Sequence, residues 1–138
     1  MSPFVVDCSV AVAWLFEDEV TPATDALLER LKDGGAMVPG LWRLELGNVL
    51  AGAERRGRIS RSQVAAYIDL LDRLPIVTDG ETENRAFRET LLLARQQGLT
   101  TYDACYLELA MRRGLELATL DKALVRAARR VEVETLPA

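Results

Sequence analysis

An α/β architecture, in which a central, mostly parallel sheet lies between flanking layers of helices, follows from three features of the chain. Short apolar runs rich in Val, Ile and Leu alternate with longer segments of helical period. The runs are apolar throughout, as strands covered on both faces must be. Strand–helix–strand order then implies right-handed crossovers between parallel strands. At 138 residues the chain suits one domain spanning residues 1–138, and its 28% of charged residues and five prolines mark no linker or low-complexity stretch.

Phe4 to Val6 is the first buried strand, ended by the polar cluster Asp7-Cys8-Ser9, with a helix expected from about Val10. Thr24 to Lys32 carries Ala26, Leu27, Leu28 and Leu31 at helical spacing and stops at Gly34-Gly35. Ala36 to Val38 is a strand closed by Pro39, and Leu41 to Arg55 is helical by period. Ser60-x-x-Gln63 forms a capping box for a helix to about Arg73, where Leu74-Pro75 blocks it; Ile76 to Thr78 is the third strand. Thr82 to Gln97 reads as one long helix ending at Gly98, and Thr100 to Arg113 as another ending at Gly114. Leu115 to Thr119 is a strand, Lys122 to Arg130 a helix and Val131 to Thr135 a last strand.

The chain has no histidine, which removes Ser-His-Asp and Cys-His nucleophiles, His-ligated zinc and imidazole acid–base catalysis. Cys8 and Cys105 show no CxxC spacing and read as buried thiols of a reducing compartment. The longest apolar run, Val10 to Phe16, is far too short to span a bilayer, and no positively charged leader precedes it. A cytoplasmic protein without a membrane partner is the expectation. A formal net charge of −4 argues against general affinity for phosphates, which metal ions or local arginine clusters would have to reverse.

Four acids stand where structural rules favour other residues. Asp7 ends the first strand, Glu45 interrupts the apolar helix Leu41 to Ala53, Asp103 opens the apolar run from Ala104, and Asp121 follows Leu117 to Leu120. Carboxylates are rarely buried unpaired, and no nearby Lys or Arg obviously neutralises all four, so a bound cation is the economical reading. A helical wheel puts Arg43, Gly47 and Glu54 on one face of the third helix, with Glu45 and Asn48 opposite. The same construction puts Glu108 and Arg112 outside and Asp103 inside with Leu107 and Ala110. Each acid also has a structural alternative. Asp103 fits a capping box with Thr100, Asp121 an N-cap, and Asp7 a turn residue before a Ser9 cap, while Glu45 fits the rim of a buried helix.

Oxygen ligands select hard ions, so Mg²⁺ or Mn²⁺ is expected, with one or two ions placed to cleave a phosphodiester. Ser9 and Thr119 lie two residues from Asp7 and Asp121 and suit a bound water or phosphate. In open parallel sheets, ligands sit beyond the carboxyl ends of strands, where Asp7 and Asp121 fall.

The blocks Val5-Val6-Asp7-Cys8-Ser9, Glu45-x-x-Asn48, Thr101-Tyr102-Asp103-Ala104-Cys105-Tyr106-Leu107 and Ala118-Thr119-Leu120-Asp121 resemble those of the PIN-domain ribonucleases, and most closely VapC-type toxins. The similarity spans nearly the whole chain. It implies a PIN-like three-layer fold and metal-dependent endonucleolytic cleavage of RNA. It places the family's acidic quartet on Asp7, Glu45, Asp103 and Asp121, and its supporting polar groups on Ser9, Asn48 and Thr119. It further implies a homodimer and inhibition by a cognate VapB-type antitoxin. Trp14, Phe16 and Trp42 are candidate groove residues for such a partner, against the ordinary reading of core aromatics. Arg55, Arg56, Arg58 and Arg61, or Arg126, Arg129 and Arg130, are candidate RNA-backbone contacts, against the ordinary reading of solvated, paired charges.

Two other classes compete: a haloacid-dehalogenase-like or receiver-like phosphohydrolase or phospho-acceptor with Asp7 as nucleophile, and a non-catalytic PIN binding module whose acids are caps. The first usually has a second Asp two residues on, where this chain has Ser9.

Overall fold

The computed structural model describes residues 2–138. Five strands, β1 (Phe4–Val6), β2 (Ala36–Val38), β3 (Ile76–Thr78), β4 (Leu117–Ala118) and β5 (Thr135–Leu136), form one sheet in the order β3-β2-β1-β4-β5. Every neighbouring pair is parallel, with Phe4 beside Ala36 and Val5 beside Leu117 in register. The helices are α1 (Cys8–Leu15), α2 (Pro22–Gly34), α3 (Trp42–Arg55), α4 (Arg61–Asp72), α5 (Thr82–Arg85), α6 (Leu91–Gln97), α7 (Thr101–Arg113) and α8 (Lys122–Arg130). β1, β2 and β4 are buried throughout, which is why their sequences show no alternation.

Glycines close elements where the backbone turns left-handed. Gly114 caps α7 at φ 64°, and Gly35 at φ 80° leaves no room for a side chain, since a Cβ there would lie 3.0 Å from the Pro75 carbonyl oxygen. The Ser60–Gln63 capping box forms, with Ser60 Oγ accepting from the Gln63 amide at 3.1 Å and Gln63 Oε1 from the Ser60 amide at 2.7 Å.

Several boundaries differ from the sequence reading. α1 begins at Cys8 and its cap is Asp7 rather than Ser9, because the Asp7 carboxylate reaches the Val10 amide. α2 begins at Pro22 behind a Thr21–Thr24 capping box, where Pro has the φ a first helical turn needs. The long helix expected over Thr82 to Gln97 is interrupted by a π-helical turn, Ala86–Thr90, at which Arg88 leaves helical geometry (φ −118°, ψ −106°). The last strand lies at Thr135–Leu136, later than Val131 to Thr135, because Glu132 turns at φ 60° and the strand must first pass it to pair with β4.

Glu108 and Arg112 correct the helical-wheel reading. Glu108 is 6% exposed and, with Asp79, grips Arg112. Arg112 Nη2 lies 2.7 Å from Asp79 Oδ2 and its Nε 2.9 Å from Glu108 Oε2. A single-helix wheel cannot register a partner that arrives from the loop after β3.

Candidate active site

In a sheet ordered β3-β2-β1-β4-β5, the chain moves outward from β1 to one edge through β2 and β3, then to the other through β4 and β5. The connections reverse between β1 and β4, and a crevice opens beyond the carboxyl ends of these two strands. Asp7 directly follows β1, and Thr119 to Asp121 follow β4. The Asp7 amide donates to the Ala118 carbonyl at 3.1 Å, tying the two strand ends together.

Asp7 is 7% exposed. Its Oδ1 accepts from Ser9 Oγ at 2.6 Å and from the Val10 amide at 3.3 Å, and its Oδ2 accepts from Thr119 Oγ1 at 2.5 Å. Thr119 Oγ1 in turn accepts from the Asp121 amide at 3.0 Å, and Ser9 Oγ from the Leu120 amide at 2.9 Å. Ser9 and Thr119 therefore bind the two strand-end loops to each other through the Asp7 carboxylate. Burial nevertheless holds the Asp7 carboxyl above the ordinary carboxylate range, against the lowering effect of Ser9 and Thr119.

Asp103 lies in the first turn of α7, which Thr100 caps by accepting from the Asp103 amide at 3.1 Å. Its side chain is half-buried, and its carboxyl is pushed up by burial and then by the Asp121 carboxylate. The two carboxylates are thus close enough to repel each other. Asp121 does cap α8, its Oδ1 accepting from Ala123 at 2.8 Å and Leu124 at 3.2 Å. The capping role and the approach to Asp103 coexist, because Oδ1 alone serves the cap.

Glu45 comes from α3. Its Oε1 accepts from the Tyr106 hydroxyl at 2.5 Å. Glu45 and Asp7 both act on the Cys8 thiol, which burial first and these carboxylates last push up to about 12; Glu45 and Asp103 act likewise on Cys105. Asp7, Glu45 and Asp103 therefore flank the two thiols in one neighbourhood, with Asp121 joined to them through Asp103, and the thiols are protonated packing groups. Asn48 is exposed on the helical stripe of Glu45, and Leu44, 78% exposed, stands beside it, so this part of α3 is open where the wheel suggested burial.

None of the ion pairs among the described residues involves Asp7, Glu45, Asp103 or Asp121. Among those residues, no three His, Cys, Asp or Glu side chains stand close enough to hold an ion unaided. Two carboxylates with raised pKa and a mutually repelling pair suit a hard cation that completes its octahedron with water.

The sequence profile of the PIN domain matches residues 4–130. This chain is a PIN-domain protein. PIN domains are generally nucleases and usually use divalent metal ions. A crystal structure of PAE2754 from Pyrobaculum aerophilum shares the PIN chain's fold, with a TM-score of 0.72 over 98% of this chain and 84% of that one at 24% identity. Comparison with curated proteins returns no sequence match. No helix among the described residues is long and apolar enough to cross a membrane.

The weaker site candidates separate in the PIN structure. Trp14 is not a groove residue: it is buried and its indole N–H donates to the Thr24 carbonyl at 2.8 Å. Phe16 is also core, edge-on to Tyr67. Trp42 is 2% exposed, yet one edge of it lines a groove of about 420 Å³ between α3 and α4, with Leu46, Leu50, Val64 and Ile68. Arg55 lies on that groove and Arg56 is exposed. Arg58 stacks on Phe16 and pairs with Asp18 and Glu19, which leaves its charge internally matched. Sequence reasoning missed Tyr106 as a site neighbour and Asp79 as a buried acid. Tyr106 lies three residues after Asp103, on the same helical face, and Asp79 follows β3 directly as Asp7 follows β1; both signals were present.

Proposed function

We propose that this PIN-domain protein is a Mg²⁺- or Mn²⁺-dependent endoribonuclease, a cytoplasmic hydrolase that acts as the toxin of a type II toxin–antitoxin pair. The observation that carries the nuclease reading is the set of four acids on four elements at the β1–β4 crevice, unpaired with Lys or Arg. Asp7, Glu45, Asp103 and Asp121 would hold the ion. When bound, it would supply Lewis-acid stabilisation of a scissile phosphate and lower the pKa of an attacking water. The chain's own residues fix the geometry: Ser9, Val10 and Thr119 lock the Asp7 carboxylate, and the cap bonds lock Asp121. Asn48, exposed one turn from Glu45, is placed to meet a phosphate or sugar.

RNA is the proposed substrate, with Arg55 and Arg56 better placed than Arg58 to contact its backbone. The apolar floor of the α3–α4 groove suits an amphipathic segment of a VapB-type antitoxin, and a homodimer is proposed with it. The phospho-acceptor alternative is disfavoured because the position two residues after Asp7, where such enzymes usually carry a second Asp, holds Ser9, whose hydroxyl donates to Asp7.

Total cellular RNA incubated with the protein and Mg²⁺ should give discrete cleavage ends that disappear with chelator. Cleavage that persists unchanged in chelator, or in Asp7→Asn, would refute the proposal.

A further inference from the structure

We propose that Tyr106 is a positioning residue that sets the Glu45 carboxylate against Asp103. Among the described residues, Tyr106 is the only side chain or amide that donates a hydrogen bond to the Glu45 carboxylate. Glu45 otherwise projects from a partly open stretch of α3, where a three-torsion side chain would sample many rotamers. The phenol is its opposite in every respect. The Tyr106 ring is 2% exposed in the core, on the same face of α7 as Asp103 and three residues from it.

The hydroxyl is also held from its other side. Cys8 Sγ lies 3.8 Å from the phenolic oxygen while donating to the Trp42 carbonyl at 3.5 Å. A buried Tyr hydroxyl needs a partner, and here the partner is a carboxylate whose second oxygen stays free. The result is a rigid link from α3 to α7 that orders one acid relative to another. Outer-shell donors of this kind typically govern metal affinity by roughly 10–100-fold.

The inference rests on Glu45 belonging to the metal site. Calorimetric titration with Mn²⁺ alone should compare wild type, Tyr106→Phe, Glu45→Gln and the double variant. Tyr106→Phe removes one oxygen and preserves the ring, and a thermal melt verifies the fold. The expected result is Mn²⁺ affinity reduced roughly tenfold in Tyr106→Phe, a comparable or larger loss in Glu45→Gln, and no further loss when Tyr106→Phe is added to Glu45→Gln. That last comparison excludes general loosening of the core, which would add to the Glu45 effect. Wild-type affinity in Tyr106→Phe beside weakened Glu45→Gln overturns the positioning role and spares the metal site. Additive losses overturn it too. Wild-type affinity in Glu45→Gln overturns both the inference and its basis.

Discussion

Thr119→Val tests how the crevice is held together. Valine keeps the volume of a side chain that is 2% exposed, and removes a hydroxyl with two bonds: one donated to Asp7 Oδ2 at 2.5 Å and one accepted from the Asp121 amide at 3.0 Å. Losing a bond to a charged group is worth about 1.5–3 kcal/mol and the neutral amide bond about 1 kcal/mol, so the expected cost with Asp7 ionised is about 2.5–4 kcal/mol. That corresponds to roughly 6–15 °C in Tm for a chain of this size. The cost should depend on pH. Burial already holds the folded-state pKa of Asp7 above its ordinary 3.8, so ionisation of Asp7 destabilises the fold as pH rises from 3.8 through the folded value. Thr119 lowers the folded pKa; removing it raises that pKa further and widens the interval. The ionic part of the penalty therefore grows as pH rises from 3.8 through the folded value and fades as pH falls below 3.8, where Asp7 becomes protonated in both states. Urea unfolding of wild type, Thr119→Val and Thr119→Ser in chelator, at pH 7 and about pH 3.5, measures it. The difference between wild type and valine should shrink to about 1 kcal/mol at the lower pH, with serine near wild type throughout. An equal cost at both pH values, or no cost at pH 7, would refute the assigned hydrogen bonds.

Other expectations follow from the same geometry. Asp103→Asn should abolish RNA cleavage, by roughly 100-fold or more, while raising the melting temperature of the metal-free protein at pH 7. Burial and the Asp121 carboxylate both disfavour the Asp103 charge, whose destabilising effect grows as pH rises above 3.8; an Asp103→Asn variant that melts lower in chelator would contradict this. Mn²⁺ at about 100 times its dissociation constant should stabilise wild type by about 2.7 kcal/mol, and identical melts with Mn²⁺ and with chelator would sink the metal site. Arg112→Ala should destabilise by about 3–5 kcal/mol, because Asp79 and Glu108 would remain buried without their cation. Arg112 lowers the folded pKa of Asp79, so its pairing is fully present above 3.8 and is lost as pH falls through that lower value. Ile68→Asp in the groove should leave RNA cleavage intact and abolish co-purification with a co-expressed antitoxin, and retained complex would refute the groove assignment.

Much of the architecture was legible along the chain because it is local. Strand position followed from uninterrupted apolar runs, α3 from period, α4 from its capping box, and α8 to the residue from Asp121 and Val131. Local signals failed where a distant segment decided the outcome. The interruption at Arg88 has no glycine or proline to announce it, and β5 is placed by its hydrogen bonds to β4. Asn48 fell on the inward side of the wheel because a wheel assumes one burying partner per face; α3 packs on α1 and α4 and leaves Leu44 and Asn48 exposed.

The acids divide along the same line. Their identities, their order and their place at helix starts and strand ends belong to the sequence, since a carboxylate in an apolar run is anomalous wherever the chain later goes. Only the tertiary structure decided that Asp7 would be gripped by Thr119 from 112 residues away, that Tyr106 would reach Glu45, that Asp103 would meet Asp121 rather than a lysine, and that Arg112 would serve Asp79. The physical reason is that hydrophobic pattern sets which face of an element turns inward, whereas hydrogen bonds and ion pairs are set by distances of about 3 Å between elements, which exist only once strand order and crossover handedness have brought those elements together.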